Sequence, residues 1–332
     1  MRTAIVTGAL VALIAAILFM GAGDPTGPNS YVVIGLSQGA VYGLVAIGLV
    51  LVYKGSRVFN FLQGEFGTLG AFAVFLMVQQ WKVGLPYWAC ALIALAAVTI
   101  IGIGFERIVV RPLLNAPRIT VLVATIATAL FAIAMELLVF RPEPKILPPM
   151  VDSLFGKKGF EILSFTLEPQ RFLIVLVLAG LAIGLGYFFS RTDLGLAVLA
   201  TSQDPFATRV VGIGVERMSR FIWASAAFLG ALAGILYVPL TGALTPGAMT
   251  TGILIPAFTA AVIGGMTSLP GAFVGGLTVG LVQSLSNWAA NHYTLGDRLL
   301  QDIIKGAPDV ALTLALLIVL LARPQGLLGK EA

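Results

Sequence analysis

Charge is scarce in this sequence. Only 11% of its 332 residues are Asp, Glu, Lys or Arg, against about 25% in soluble globular domains. That is too little to cover a water-facing surface, so a soluble enzyme or binding domain is excluded. Cysteine and histidine are scarcer still, with Cys90 and His292 the single copies of each. One cysteine excludes an intrachain disulfide framework and a cysteine-based metal site. A lone loop histidine reads as a solvated side chain rather than a ligand or base. There is no GxxxxGK[ST] phosphate loop, no metal-ligand cluster and no plausible Ser/His/Asp set. The chain therefore supplies neither ATP hydrolysis nor evident covalent catalysis, and neither a cofactor nor a catalytic residue is expected. Lys and Arg outnumber Asp and Glu by 20 to 15, but they are scattered through loops. A nucleic-acid partner would call for a clustered basic face.

What is present is apolar sequence. Hydrophobic residues make up 58% of the chain, and the mean hydropathy is +1.00. The apolar runs reach the length of about 20 residues that a helix needs to cross a bilayer. They do not alternate in polarity, as the strands of a membrane barrel would. The sequence predicts an all-α polytopic transmembrane bundle of about 8–10 spans with broken or re-entrant helices, forming one transmembrane domain over residues 1–332. Candidate spans fall near 3–22, 31–53, 59–78, 86–105, 119–139, 172–189, 221–239, 254–265, 271–288 and 307–322. The first exceeds the usual signal-peptide core and is read as a retained helix.

Basic residues set the orientation. With the N-terminus inside, the inner loops hold Lys54 and Arg57, then Arg107, Arg111 and Arg118, then Arg191, Arg209, Arg217 and Arg220, and finally Arg323 and Lys330. The outer loops at 23–30 and 240–253 hold no Lys or Arg. Two large loops follow from this placement. The outer one, 140–171, begins with the proline-rich RPEPKILPP and continues into GFEILSFTLEPQ, a short hairpin or an interfacial segment. The inner one, 190–220, is charged.

Three stretches stand out from the apolar background. In VFNFLQGEFGTLGAF, residues 58–72, Asn60, Gln63, Glu65 and Thr68 interrupt a bilayer-length run. On a helix Gly64, Gly67 and Ala71 line one narrow face, with Asn60 and Gln63 near it. Such small-residue faces let helix backbones approach closely in lipid. Helix packing and the lining of a translocation path are both open readings. Glu65 is expected near the inner interface, within reach of Lys54 or Arg57. In FTAAVIGGMTSLPGAFVGGLTVGLVQS, residues 258–284, a short apolar run ends at Gly264-Gly265 and Pro270 opens the next helix, where Pro is favoured. Gly271 and Gly275 form a GxxxG. This predicts a broken helix, tolerated only where protein or a water-filled cavity covers the backbone. In TSQDPFATRVVGIGVERMSR, residues 201–220, Asp204 is a plausible N-cap, Pro205 the first helical residue and Gly212 a C-terminal stop. Phe206 and Val210 share a face. A seven-residue amphipathic helix is predicted there, lying either on a partner or on the lipid surface.

Together these stretches resemble the permease subunits of branched-chain amino acid ABC importers. The resemblance runs from about residue 31 to 329. It is carried by GLSQGAVYGLVAIGLVLVYKGSRVFNFLQGEFGTLGAF, by SQDPFATRVVGIGVERMSRFIWASAAFLGALAG, by FTAAVIGGMTSLPGAFVGGLTVG and by the terminal RPQGLLG. Leu62 and Gln63 stand at the Ala and His/Gln positions of an N-F-A-H/Q-G-E segment. Thr267 replaces a glycine of G-G-x-G-S-x-x-G-A. The resemblance implies two permease subunits, related or identical, in a bacterial plasma (inner) membrane. It also implies two separate ABC ATPases and an extracytoplasmic substrate-binding protein facing 140–171. A substrate pathway would involve Gln38, Tyr42, Asn60, Gln63 and Gly64. ATPase coupling would involve Asp204, Pro205, Phe206, Arg209 and Gly212. Gly264, Gly265, Pro270, Gly271 and Gly275 would form the helix break and its packing. Urea and short-amide importers share these blocks. An ATPase-independent solute channel is the alternative from another class, and a membrane enzyme or a structural subunit is disfavoured by the missing catalytic set.

Overall fold

The computed structural model describes residues 28–113, 116–151, 160–162, 165–167, 169–203, 205–292, 307–322 and 326. The first candidate span lies outside them. The elements in chain order are α1 (Pro28–Ser56), α2 (Gln63–Phe75), α3 (Tyr87–Phe105), α4 (Arg118–Phe140), β1 (Phe160–Ile162), β2 (Phe165–Leu167), α5 (Pro169–Arg191), α6 (Asp193–Gln203), α7 (Pro205–Val210), α8 (Val215–Thr241), α9 (Ala248–Gly252), α10 (Leu254–Gly264), α11 (Leu269–His292) and α12 (Ala307–Ala322). Wide-turn π-helical segments extend α2 over Leu76–Gln80 and α3 over Glu106–Val110. Among the described residues, six helices are long and apolar enough to cross a membrane: Ser30–Ser56, Tyr87–Leu113, Arg118–Phe140, Pro169–Arg191, Val215–Thr241 and Leu269–Ala290. The all-α polytopic bundle is as the sequence predicts. The described residues also hold the antiparallel hairpin β1–β2, with Glu161 opposite Thr166, in the stretch expected to form a hairpin or an interfacial segment.

Burial separates centre from rim. In α1, 78% of the most apolar window is buried within the chain, and in α8 67% is; in α4 the figure is 22% and in α5 17%. Helices α1 and α8 are thus the axis, while α4 and α5 present apolar side chains such as Leu130, Phe131 and Leu176 outward. Lipid tails are as apolar as leucine, so close van der Waals packing has to hold such helices together. Small residues provide it. Helices α1 and α11 run antiparallel with interlocked glycines. A Cβ added at Gly39 would stand 2.7 Å from the Gly276 carbonyl oxygen, and one at Gly35 would stand 2.9 Å from that of Gly280. Likewise, Gly67 of α2 lies against the backbone of Gly230 and Gly234 of α8.

Helix α2 begins later than the pattern suggested. The run from residue 59 is not helical at its start, because the Asn60 side chain captures the backbone: Oδ1 accepts the Leu62 N–H at 3.1 Å. Short polar side chains compete with helix formation in this way. Arg57 ends α1 at φ 55°. Phe59 then stacks on Tyr53 at 5.1 Å and meets Phe258 of α10 edge-on at 5.1 Å. The turn between α1 and α2 is therefore pinned inside the bundle.

Candidate translocation path and coupling surface

The amides at the start of α2 are fully buried. Asn60 and Gln63 are both 0% exposed. Asn60 Nδ2 donates to Gln63 Oε1 at 3.1 Å, and Gln63 Nε2 donates to the Ala226 carbonyl oxygen of α8 at 2.9 Å. Ala226 lies about 16 Å along α8 from its first residue, at 1.5 Å per residue, so this contact is near mid-depth. Gly64 abuts α9, since a Cβ there would come within 2.7 Å of Thr250 Cα. The structure thus brings Asn60, Gln63 and Gly64 to one crossing of α2, α8 and α9.

Glu65 departs from its expected place. It is 0% exposed, and both carboxylate oxygens are buried without a hydrogen-bond partner. Arg57, one expected partner, instead lies over the Tyr53 ring at 5.9 Å. The reason is the late start of α2. The chain folds back beside α1 before the helix begins, with the Gln63 side chain against Gly48, which carries Glu65 away from the α1 terminus. Glu65 lies beside Glu136 of α4 and Thr250 of α9. Glu136 is 2% exposed, and its Oε2 accepts the Gly247 N–H at 2.9 Å. Thr68 Oγ1 accepts the Met249 N–H at 3.2 Å. Sequence reasoning passed over Glu136 and Thr250. The available signal was Glu136 itself, a carboxylate inside the apolar run ALFAIAMELLVF, because acids within spans are rare and usually functional.

Gln38 and Tyr42 belong to a second polar group, on α1 and away from Glu65. The Tyr42 hydroxyl donates to Gln283 Oε1 of α11 at 2.5 Å. Gln38 lies next to Tyr237 of α8, and Arg171 Nη1 of α5 donates to Ser37 Oγ at 3.4 Å. The group joins α1, α5, α8 and α11, and it does not meet Asn60 or Gln63.

The break between α10 and α11 lies where the glycines were read. Helix α10 ends at Gly264, Gly265 adopts φ 102°, and α11 begins at Leu269 with Pro270 in its first turn. Gly264 and Gly271 lie backbone to backbone, as do Gly275 and Ala260. Gly326, from the terminal RPQGLLG, seats on Gly265.

The 190–220 loop is mostly helical. Helix α6 is an addition to the sequence reading. Helix α7 spans Pro205–Val210, and Gly212 closes it at φ 83°. Asp204 lies outside the described residues. Arg209 and Gly212 line a cavity of about 780 Å³ together with Arg111, Glu216, Arg217 and Arg220. Across it Arg111 Nη2 meets Glu216 Oε2 at 2.6 Å, tying the end of α3 to the start of α8.

Six bilayer-length apolar helices among the described residues, together with a broken helix and buried amides between helices, make this a multi-pass membrane protein. The sequence matches the family described as branched-chain amino acid transport system / permease component over residues 31–322, and the chain belongs to that family. It is 31% identical over 306 residues to the high-affinity branched-chain amino acid transport system permease protein BraD of Pseudomonas aeruginosa, covering 89% of this chain and 94% of that one. It is 28% identical over 305 residues to LivH of Escherichia coli, with the same coverage. It is 27% identical over 300 residues to the probable permease LivH of Methanocaldococcus jannaschii, covering 87% of this chain and 88% of that one.

Proposed function

We propose that this chain is the membrane-spanning permease subunit of an ATP-binding cassette importer, and that it passes branched-chain or related amino acids delivered by an extracytoplasmic binding protein. The observation that carries this reading is the family match over residues 31–322, which takes in nearly every described helix. Two permease subunits, identical or related, enclose the path in a bacterial inner membrane, and two separate ATPases power it. The chain lies with its N-terminus inside, so that α6, α7 and the arginine-lined cavity face the cytoplasm. There Pro205, Phe206, Arg209 and Gly212 dock on an ATPase. The segment 140–171 faces the binding protein. Asn60, Gln63 and Gly64 border the path, with Gln38 and Tyr42 further along it, and the α10–α11 break gives one wall its non-helical backbone.

The test is purification of the native complex, identification of its subunits and reconstitution in lipid vesicles. The expected result is uptake of labelled leucine that requires both the binding protein and ATP, with ATP hydrolysis absent from this chain alone. Uptake of urea but not leucine assigns the complex to the short-amide importers. Solute flux through this chain without any ATPase overturns the importer reading.

A further inference from the structure

Two acids, Glu65 and Glu136, meet inside the bundle. Glu65 stands in the first turn of α2, and Glu136 lies four residues before the end of α4. Among the described residues, no Lys, Arg or His forms an ion pair with either. Three of their four carboxylate oxygens, both of Glu65 and Oε1 of Glu136, are buried without a hydrogen-bond partner, and so is the neighbouring Thr250 Oγ1. Orphaned buried polar atoms are rare in native structures and need an explanation. Here the shortage is of donors. A pair of ionised carboxylates only accepts hydrogen bonds, and two like charges buried side by side repel each other. Helices α1, α3, α4, α8 and α9 all pack on α2. Among the described residues, the groups that face the pair from them are the Thr250 hydroxyl, the Gly247 N–H and the two acids themselves.

We propose that Glu65 and Glu136 form a proton-binding site in which one proton is shared between the two carboxyl groups and holds α9 in place. One proton repairs the inventory. It makes one acid a donor to the other and cancels one of the two charges. The Gly247 N–H and the Thr250 hydroxyl then serve the charge that is left. Three anchors of α9 lie around this point: Gly247 on Glu136, the Met249 N–H on Thr68, and Thr250 against Gly64. Loss of the proton places two like charges across the α2–α4 contact, where α9 is seated, and frees that short helix. The site does not depend on which solute the chain carries.

Infrared spectroscopy of the full chain in lipid bilayers tests the site. The expected result is a protonated-carboxyl stretch at neutral pH that shifts in deuterium oxide, is unchanged when choline replaces sodium, and disappears in both Glu65→Gln and Glu136→Gln. A glutamine can supply an N–H in place of the shared proton, so both variants are expected to fold. Glu106, also buried with two unpartnered oxygens, is the control, and Glu106→Gln should keep the band. In wild type, raising the pH until the band is lost should speed amide exchange at Met249–Thr251 by at least tenfold, and Glu65→Gln should not respond. Absence of the band in wild type, its survival in both glutamine variants, its loss in Glu106→Gln, or its appearance only without sodium each overturns the proposal. The last of these would assign the pair to a metal cation. Should neither glutamine variant fold, retention of the band in Glu106→Gln together with the wild-type exchange response supports the pair, and failure of either overturns it.

Discussion

Replacing Gln63 with leucine removes two hydrogen bonds and changes the side-chain volume little. The Gln63 amide links Asn60, in the turn, to the Ala226 carbonyl of α8 through contacts of 3.1 and 2.9 Å. Hydrogen bonds between membrane helices are worth about 0.6 kcal/mol on average and at most about 1.7 kcal/mol. The Ala226 carbonyl sits within α8 and keeps its own helical donor, so the bond it receives from Gln63 is expected near the average. The Asn60–Gln63 bond matters more, because its loss leaves Asn60 Nδ2 buried without a partner, at a cost of about 1–3 kcal/mol. Gln63→Leu should therefore destabilise the chain by about 2–3 kcal/mol, and Asn60→Leu by a similar amount with the further loss of the Leu62 N–H contact. The two should not add. Once Gln63 is gone, replacing Asn60 also removes an orphaned group, so the double variant should recover about 1 kcal/mol relative to the sum, as coupled neighbours do. The assay is reversible unfolding of single and double variants in lipid bicelles, run as a double-mutant cycle. Additivity within about 0.3 kcal/mol would refute the claim that these amides act as one hydrogen-bonded unit.

The remaining expectations are these. Gly276→Leu should prevent α1 and α11 from closing, since a side chain there points at the backbone of Gly43 and Gly39; overpacking of this kind costs about 1–3 kcal/mol, and a thermal midpoint equal to wild type would contradict the glycine interlock. Phe206→Asp on α7 should leave membrane insertion intact while lowering ATPase co-purification and uptake at least tenfold, and unchanged assembly would remove α7 as the docking element. With Cys90 removed, cysteines placed at 60 and 63 should react with water-soluble thiol reagents in an ATP-dependent manner if the α2–α8–α9 crossing opens during transport; no labelling in any state, with full uptake by Asn60→Leu and Gln63→Leu, would leave helix packing as their role.

Much of the architecture was legible because lipid simplifies the code. A helix in a bilayer must satisfy its backbone internally, so apolar runs mark spans directly, and the sequence boundaries for α4, α5, α10 and α12 lie within a few residues of those observed. The break at Gly264–Pro270 was legible for a related reason, since glycine and proline act locally on the backbone. The start of α2 was misjudged because periodicity alone carried it through Asn60, whose side chain binds the backbone instead. Gly276 and Gly280 stand plainly in the sequence, but their partners Gly39 and Gly35 do not, because helix contacts about 240 residues apart leave no local mark.

That this chain is a helical membrane protein, where its helices break and, through four ordered blocks, which family it joins can all be read from the order of its residues. These follow from composition and local stereochemistry, which act over a few residues. What each buried polar group meets depends instead on how the helices pack. Gln63 finds the Ala226 carbonyl of α8, Tyr42 finds Gln283 of α11, and Glu65 faces Glu136 rather than Arg57 or Lys54. A hydrogen bond or an acid pair depends on distances of a few ångströms between helices far apart in sequence, and those distances are set by which small residues let which helices come together.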